Sequence, residues 1–247
     1  MPLLFALLLS AFLPVNHIRN AALIPTKDCA STRASVMHRA PSSPHSHTDR
    51  TLLIGIVIDT HPQQRNVIAF ERQVIDSLAG VLAGSGADGF VISYSDQIHP
   101  IADWSPVDSG LRDAAVRIAL DDVDGAGKSR GAVLNDGLLA GLTKLGSADS
   151  GAQKSLIVIG EGNDGASATQ FSRLLDVAKA RHVQCFALLV ANHRSQVGRV
   201  RQFGFDLYRL ASGTKGKAYD VRTDPKLLDE ALKDIAKRLA SAGQPAP

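Results

Sequence analysis

One stretch constrains this chain more than any other: Thr51-Leu-Leu-Ile-Gly-Ile-Val-Ile-Asp59, an apolar run that ends on a carboxylate. A strand apolar at every position has no face left for water, so it belongs inside a sheet covered on both sides. Such sheets are parallel, and their strands are joined by crossover helices. The helix follows at once. Val67, Phe70, Val74, Leu78 and Val81 recur at three- and four-residue steps, and Gly84-Ser85-Gly86 stops it.

The same alternation runs to the end of the chain. Gly89–Ser95 reads as a second strand, and Ile98–Trp104 as a short edge strand, where Pro100 is tolerated. Leu111, Ala115, Ile118 and Ala119 line one helix, and Leu134, Leu138, Leu142 and Leu145 the next. Ser155–Ile159 and Val183–Val190 are strands separated by a helix over Phe171–Ala180. Val200–Leu210 reads as helix, Ala218–Val221 as a short strand, and Leu228, Ala231, Ile235 and Leu239 define a closing helix. The fold class is therefore α/β: a Rossmann-like open sheet, mostly parallel and six-stranded, with helices on both faces and one antiparallel edge strand. Ligands of such sheets sit at the carboxyl ends of the strands, which directs attention to Asp59, Ser95 and the loop after Ile159.

Composition narrows the function classes. With 247 residues, 45% hydrophobic and 21% charged, the chain is long enough for a sizeable core. A net charge of +3 without clustered Lys and Arg gives no nucleic-acid footprint. Two cysteines, Cys29 and Cys185, make no disulfide framework or zinc spacing. Cys185 sits in an apolar strand without a basic neighbour and reads as an inert buried thiol. Aromatics at 5% argue against a stacking platform. Trp104 reads as a satellite packing residue.

The first fifty residues differ from the rest. Leu3–Leu13 is nearly continuous apolar sequence, too short for a bilayer span of about 20 residues. It suits the core of an export signal, giving a signal peptide over 1–22 with cleavage near Asn20-Ala21-Ala22, although no Lys or Arg precedes the run. After its removal no membrane span is expected, and the protein is placed in the periplasm or outside the cell. Residues 23–49, rich in Ser, Thr, Pro and His, read as a disordered linker. The folded domain is expected over 50–243.

Two glycine motifs invite a nucleotide reading. Gly127-Lys128-Ser129 resembles the end of a phosphate loop, but Asp122 stands where that pattern needs glycine, and Asp121 and Asp124 would repel phosphate. Gly160-Glu-Gly162-Asn-Asp-Gly165 matches G-x-G-x-x-G after a strand, yet Glu161 and Asp164 would face the pyrophosphate. A nucleotide-binding enzyme using Gly160–Gly165 or Gly127–Ser129 is the alternative reading. His61 and His99 fall near the carboxyl edge without an acid–base constellation, and no G-x-S-x-G elbow is present.

Taken in order, several segments resemble one family. Ile54-Gly-Ile-Val-Ile-Asp-Thr60 with its following helix is similar to the opening of a von Willebrand factor type A (VWA) domain. Phe90-Val-Ile-Ser-Tyr-Ser-Asp96, Gly131-Ala-Val-Leu-Asn-Asp136, Ser155–Asp164, Val183–Leu188 and Leu210–Tyr219 resemble the later strands and loops of that family. The likeness spans about 50–242 and is nearest in flavour to bacterial exported proteins with a VWA-related domain. It implies a noncatalytic protein-binding module of the adhesion or assembly kind.

The resemblance also implies a metal-ion-dependent adhesion site of pattern Asp-x-Ser-x-Ser with a Thr and an Asp from later loops. Here Asp59 matches the first acid, His61 and Gln63 replace the serines, Ala132 replaces the threonine, and Glu161 replaces the aspartate. The site is degenerate. Asp59, Glu161 and His61 remain as candidate ligands, and the expectation is no cofactor beyond a weakly held divalent cation. The expected partner-binding face comprises Asp59, His61, Gln63, Ser95, Ala132, Glu161 and Asp164, for a protein partner.

Overall fold

A computed structural model describes residues 52–119, 131–148, 151–191 and 204–242. The expected signal peptide and linker, and the Gly127–Ser129 motif, lie outside the described residues.

Six strands form one sheet: β1 (Leu52–Asp59), β2 (Asp88–Tyr94), β3 (Ile98–Pro106), β4 (Gln153–Gly160), β5 (Val183–Leu189) and β6 (Ala218–Asp220). Their order is β3-β2-β1-β4-β5-β6, parallel throughout except for β3. The apolar run that ends at Asp59 is thus the centre of the sheet. All eight of its residues are buried, as a strand covered on both faces must be.

Among the described residues six helices cover it: α1 (Ile68–Val81), α2 (Val107–Arg117), α3 (Leu134–Ser147), α4 (Phe171–Ala180), α5 (Phe205–Gly213) and α6 (Pro225–Ala242). Side chains alternate across a strand, so β1 feeds two cores. Ile54, Ile56 and Ile58 pack with α1, α2 and α6 through Val74, Leu78, Leu111, Leu228 and Ile235. Leu53 and Val57 pack with α3, α4 and α5 through Leu138, Leu142, Leu174 and Leu210. Each fully buried Leu or Ile is worth about 2 kcal/mol over its exposed state, so these two layers supply the driving force for folding. Helix α3 approaches closely because Gly137 and Gly141 face the sheet. A Cβ on Gly141 would stand 2.9 Å from Leu156 and 3.0 Å from Val57.

The helix stripes differ from expectation at α1. Phe70 is half-buried and Val81 exposed, whereas Glu71, Ile75 and Leu82 are buried. The inward stripe is therefore Val67-Glu71-Val74-Ile75-Leu78-Leu82, rotated by one position and carrying an acid. Helix α2 ends at Arg117, so Ile118 is buried from the following loop and Ala119 is exposed. Helix α5 starts at Phe205, and the expected start at Val200 falls outside the described residues.

Both sheet edges are irregular. On one side β3 pairs antiparallel with β2 through register shifts on either side of Val91, and it contains Pro100. On the other, β6 has only three residues.

The register aligns the strand ends. Asp59 pairs with Tyr94 on one side, and Ile58 with Ile159 on the other, so Asp59, Ser95 and Glu161 emerge together at the carboxyl edge. Chain order reverses between β1 and β4, which makes this the switch point of the sheet.

Candidate functional site

Asp59 ends β1 below the surface, only 2% exposed. Its Oδ1 accepts the His61 backbone N–H at 2.9 Å. Its Oδ2 accepts from Gln64 Nε2 and from the Tyr94 hydroxyl, each at 3.2 Å. Pro62 starts a 3-10 turn over Pro62–Asn66, and that turn carries Gln64 back over the carboxylate. Tyr94 comes from the neighbouring strand. Gly160 permits the approach from the other side: its φ is +148°, and a Cβ there would lie 2.6 Å from the Asp59 Cβ. Burial raises the Asp59 carboxyl to about 7, against the pull of the His61, Tyr94 and Gln64 hydrogen bonds, and the Glu161 charge adds to the rise.

A second acid lies beneath. Glu71 is fully buried, and neither of its carboxyl oxygens has a hydrogen-bond partner. Burial pushes its acid well above the usual range, and the Asp59 and Glu161 charges push the same way. Gln64 Oε1 is likewise buried without a partner. Glu161 itself is half-buried, and desolvation raises it. The switch point is therefore an acid-rich pocket that favours protonated carboxyls.

The surrounding loops are tied to each other by a carboxylate clamp. Asp136, in the first turn of α3, accepts the backbone N–H groups of Ala168 and Thr169 at 3.0 and 2.9 Å. Its partial burial opposes ionisation, but the Thr169 hydroxyl and these two amides outweigh it and hold the carboxyl below its usual value. Asp164 returns the favour to α3, accepting from Asn135 N–H at 3.2 Å and Asn135 Nδ2 at 2.9 Å, with Ser167 Oγ at 2.5 Å. The Ala132 carbonyl takes the N–H groups of Gly165 and Ala166, and the Ser95 carbonyl takes that of Val133. Asp136 and Glu71 were not among the expected site residues, nor were Gln64 and Tyr94.

The arrangement does not fit a divalent cation. Both Asp59 oxygens are taken by protein donors. His61 is buried, and its Nδ1 accepts the Gln63 N–H at 3.3 Å, capping the 3-10 turn. Ala132 has only a carbonyl to offer, already bound twice. Among the described residues no three His, Cys, Asp or Glu side chains form a group able to hold a metal ion. Asp59, Glu161 and His61 thus neighbour one another without converging as ligands.

The expected partner-binding face divides by depth. Asp59, His61, Ser95 and Ala132 are buried, whereas Gln63 and Asp164 are exposed and Glu161 is half-buried. Beside Asp164 the surface turns aromatic. Phe171 opens α4 and Phe205 opens α5, and the Arg209 guanidinium lies 5.0 and 5.8 Å from their ring centres. Phe205 is 59% exposed and Tyr208 40%.

The glycine motif makes no phosphate cradle. A dinucleotide loop must open directly onto a helix N-terminus. Here α4 begins only at Phe171, and the amides of residues 165, 166, 168 and 169 are bound to Ala132 and Asp136. Cys185 is buried, its thiol pushed up to about 12 by burial. His99 lies within β3 rather than on a carboxyl-edge loop. Trp104 packs edge-on against Phe90 at 4.8 Å.

No family model matches the sequence, and no curated protein does either. Solved structures do match the fold. The pilus adhesin SpaC of Lactobacillus rhamnosus GG aligns over 78% of this chain and 30% of its own, with TM-score 0.57 at 12% identity. BatB of Bacteroides thetaiotaomicron aligns over 77% and 99%, with TM-score 0.57 at 13% identity. A von Willebrand factor type A protein of Catenulispora acidiphila aligns over 76% and 42%, with TM-score 0.53 at 14% identity. This chain spans less than a third of SpaC and less than half of the Catenulispora protein. At these identities the likeness is one of fold.

Proposed function

We propose that this chain, which folds as a VWA-like domain, is a noncatalytic protein-binding module whose carboxyl-edge face docks a partner without a divalent cation. The observation that carries this reading is the closure of Asp59. The position from which a metal-dependent adhesion face would take its first ligand is sealed by His61, Gln64 and Tyr94, and the loops around it are locked by the Asp136 and Asp164 clamp. A face pre-organised by its own hydrogen bonds needs no ion to order it before binding.

Contact then rests on what is accessible. The Phe171–Arg209–Phe205 stack, with Tyr208 beside it, has the composition of an interface hot spot. Gln63, Glu161 and Asp164 are the accessible residues of the expected partner face. One structural neighbour is a pilus adhesin, which agrees with an adhesion or assembly role. Export follows from the same reading together with the apolar N-terminal run. No helix among the described residues is long and apolar enough to cross a membrane.

The test is affinity capture from the native envelope fraction with the full chain. The same partner is expected with Mg²⁺ and with EDTA, and it is expected to be lost from the Phe205→Ser/Arg209→Ser double variant. Titration calorimetry should find Mg²⁺ binding no tighter than about millimolar, because both Asp59 oxygens already accept from protein donors. Micromolar Mg²⁺ affinity abolished by Asp59→Ala would overturn the proposal.

A further inference from the structure

The opposite edge of the sheet holds a cavity of about 660 Å³, framed by the amino ends of β4 and β5 and the closing turns of α4 and α5. Its floor is small and apolar, with Ala152, Ala178 and Val183. Its rim carries Lys154, Lys179, His182 and Lys215, and no carboxylate is among the described lining residues. Lys154 is buried and anchored, its Nζ donating to the Ala148 carbonyl at 3.1 Å. Lys179 and Lys215 are exposed, and neither appears in an ion pair among the described residues.

A second observation points to a ligand. Gln153, on the same wall, has its Nε2 buried with no hydrogen-bond partner. A donor that has left water without gaining an acceptor marks a place where a ligand acceptor fits. The simpler account is that the cations only answer the C-termini of α4 and α5. Each helix end contributes about half a negative charge, and Lys154 also answers the end of α3 at the Ala148 carbonyl, so three ammonium groups against three helix ends leave an excess of about one and a half positive charges. That account also leaves the Gln153 amide unexplained.

The geometry points to an anion-binding site at the amino edge of the sheet that takes a small phosphorylated molecule of the sugar-phosphate or polyol-phosphate class. Ammonium groups acting as point charges suit the multiply charged phosphate group. His182 is the one ring in the lining, so a nucleobase would find no stacking partner. The volume falls within the range of small-molecule sites, and the Gln153, Gln184 and Thr214 side chains in the lining can meet hydroxyl groups. Nothing in this site depends on what the carboxyl edge binds.

Titration calorimetry and amide NMR on the full chain test it with ribose 5-phosphate, inorganic phosphate, ribose and AMP as probes. Ribose 5-phosphate is expected to bind saturably and to shift the amides of Gly151, Gln184 and Thr214, while ribose leaves them in place. The Lys179→Gln/Lys215→Gln variant is expected to weaken binding about tenfold or more, since each charge-assisted hydrogen bond is worth about that much. Gln153→Glu is expected to abolish it by facing the phosphate with a carboxylate. If Gln153→Glu fails to fold, the lysine variant decides alone, because both of its side chains are exposed. Absence of saturable ribose 5-phosphate binding, or binding unchanged in the lysine variant, overturns the site. Inorganic phosphate or AMP binding as tightly as ribose 5-phosphate overturns the ligand class.

Discussion

The two ends of this sheet carry opposite charge and opposite design. Strand β4 begins at Gln153 and Lys154 beside a cationic cavity and delivers the chain to Glu161 beside two buried acids. At the carboxyl edge Asp59 has three donors and the loops are clamped together, while the buried Glu71 carboxyl and Gln64 Oε1 stay without partners. At the amino edge, the exposed Lys179 and Lys215 line a cavity beside the buried Gln153 amide. Ligands of parallel sheets usually gather at the carboxyl edge because the loops and helix N-termini meet there. Here Asp59 at that edge is covered by its own chain, and a cavity lies at the other end. Fold therefore indicates where loops converge, and only the residues indicate which edge is left with groups to offer.

The largest effect should come from breaking the packing at the closed end. Gly160→Ala places a Cβ 2.6 Å from the Asp59 Cβ at a φ of +148°, so it should cost about 3 kcal/mol or more in urea denaturation. Gly151→Ala at the open end meets nothing within 4 Å and should stay within about 0.5 kcal/mol of the parent. Equal losses at the two glycines would erase the contrast between the edges.

The buried acids should give the next effect, and it depends on pH. Asp59 and Glu71 are both raised by burial, Asp59 to about 7, so the folded chain keeps an Asp59 proton that the unfolded chain has released between about pH 4 and 7. The Asp59 contribution is fully present at the acid end of that window and is lost as pH rises through it, and Glu71 acts with the same sign. Replacing Glu71 with glutamine removes the ionisation and should raise stability at pH 8 by about 2 kcal/mol. Near pH 4 parent and variant should agree within about 0.5 kcal/mol. Denaturation curves across this range measure both, and a variant less stable than the parent at pH 8 would mean that the Glu71 carboxylate has a partner.

The clamp should contribute least, and with the opposite sign in pH. Asp136 is held below its usual value, so its contribution is present above the ordinary carboxylate range and fades as pH falls through its lowered folded value. Asp136→Ala should cost about 1–2 kcal/mol at pH 7, and the difference from the parent should shrink on acidification. A penalty that stays constant down to pH 2 would show that the side chain acts by packing.

Much of this architecture was legible because apolar periodicity reports burial directly. The run ending at Asp59, the α3 stripe of Leu134, Leu138, Leu142 and Leu145, and the α6 stripe of Leu228, Ala231, Ile235 and Leu239 all face the core. The α1 stripe was read one position off because an acid counts as solvent-facing. The signal was nonetheless present: Glu71 stands four residues after Val67 and three before Val74, inside the apolar register. The closure of Asp59 was half legible, since Gln64 is five residues away whereas Tyr94 is 35. The clamp joins residues about thirty apart through backbone amides, which carry no residue-type signature. The cavity's three lysines come from β4, the last turn of α4 and the turn after α5, so only the folded topology assembles them.

The irregular sheet margins bear on how such a domain behaves in a crowd. A long, flat outer strand offers unpaired backbone groups to any extended segment and invites runaway association. Here one margin is kinked on either side of Val91 and interrupted by Pro100, and the other is a three-residue stub. Neither gives a neighbouring chain a template to zip onto. Many copies packed side by side should remain separate folded units, and recognition between them and other proteins falls to side chains alone.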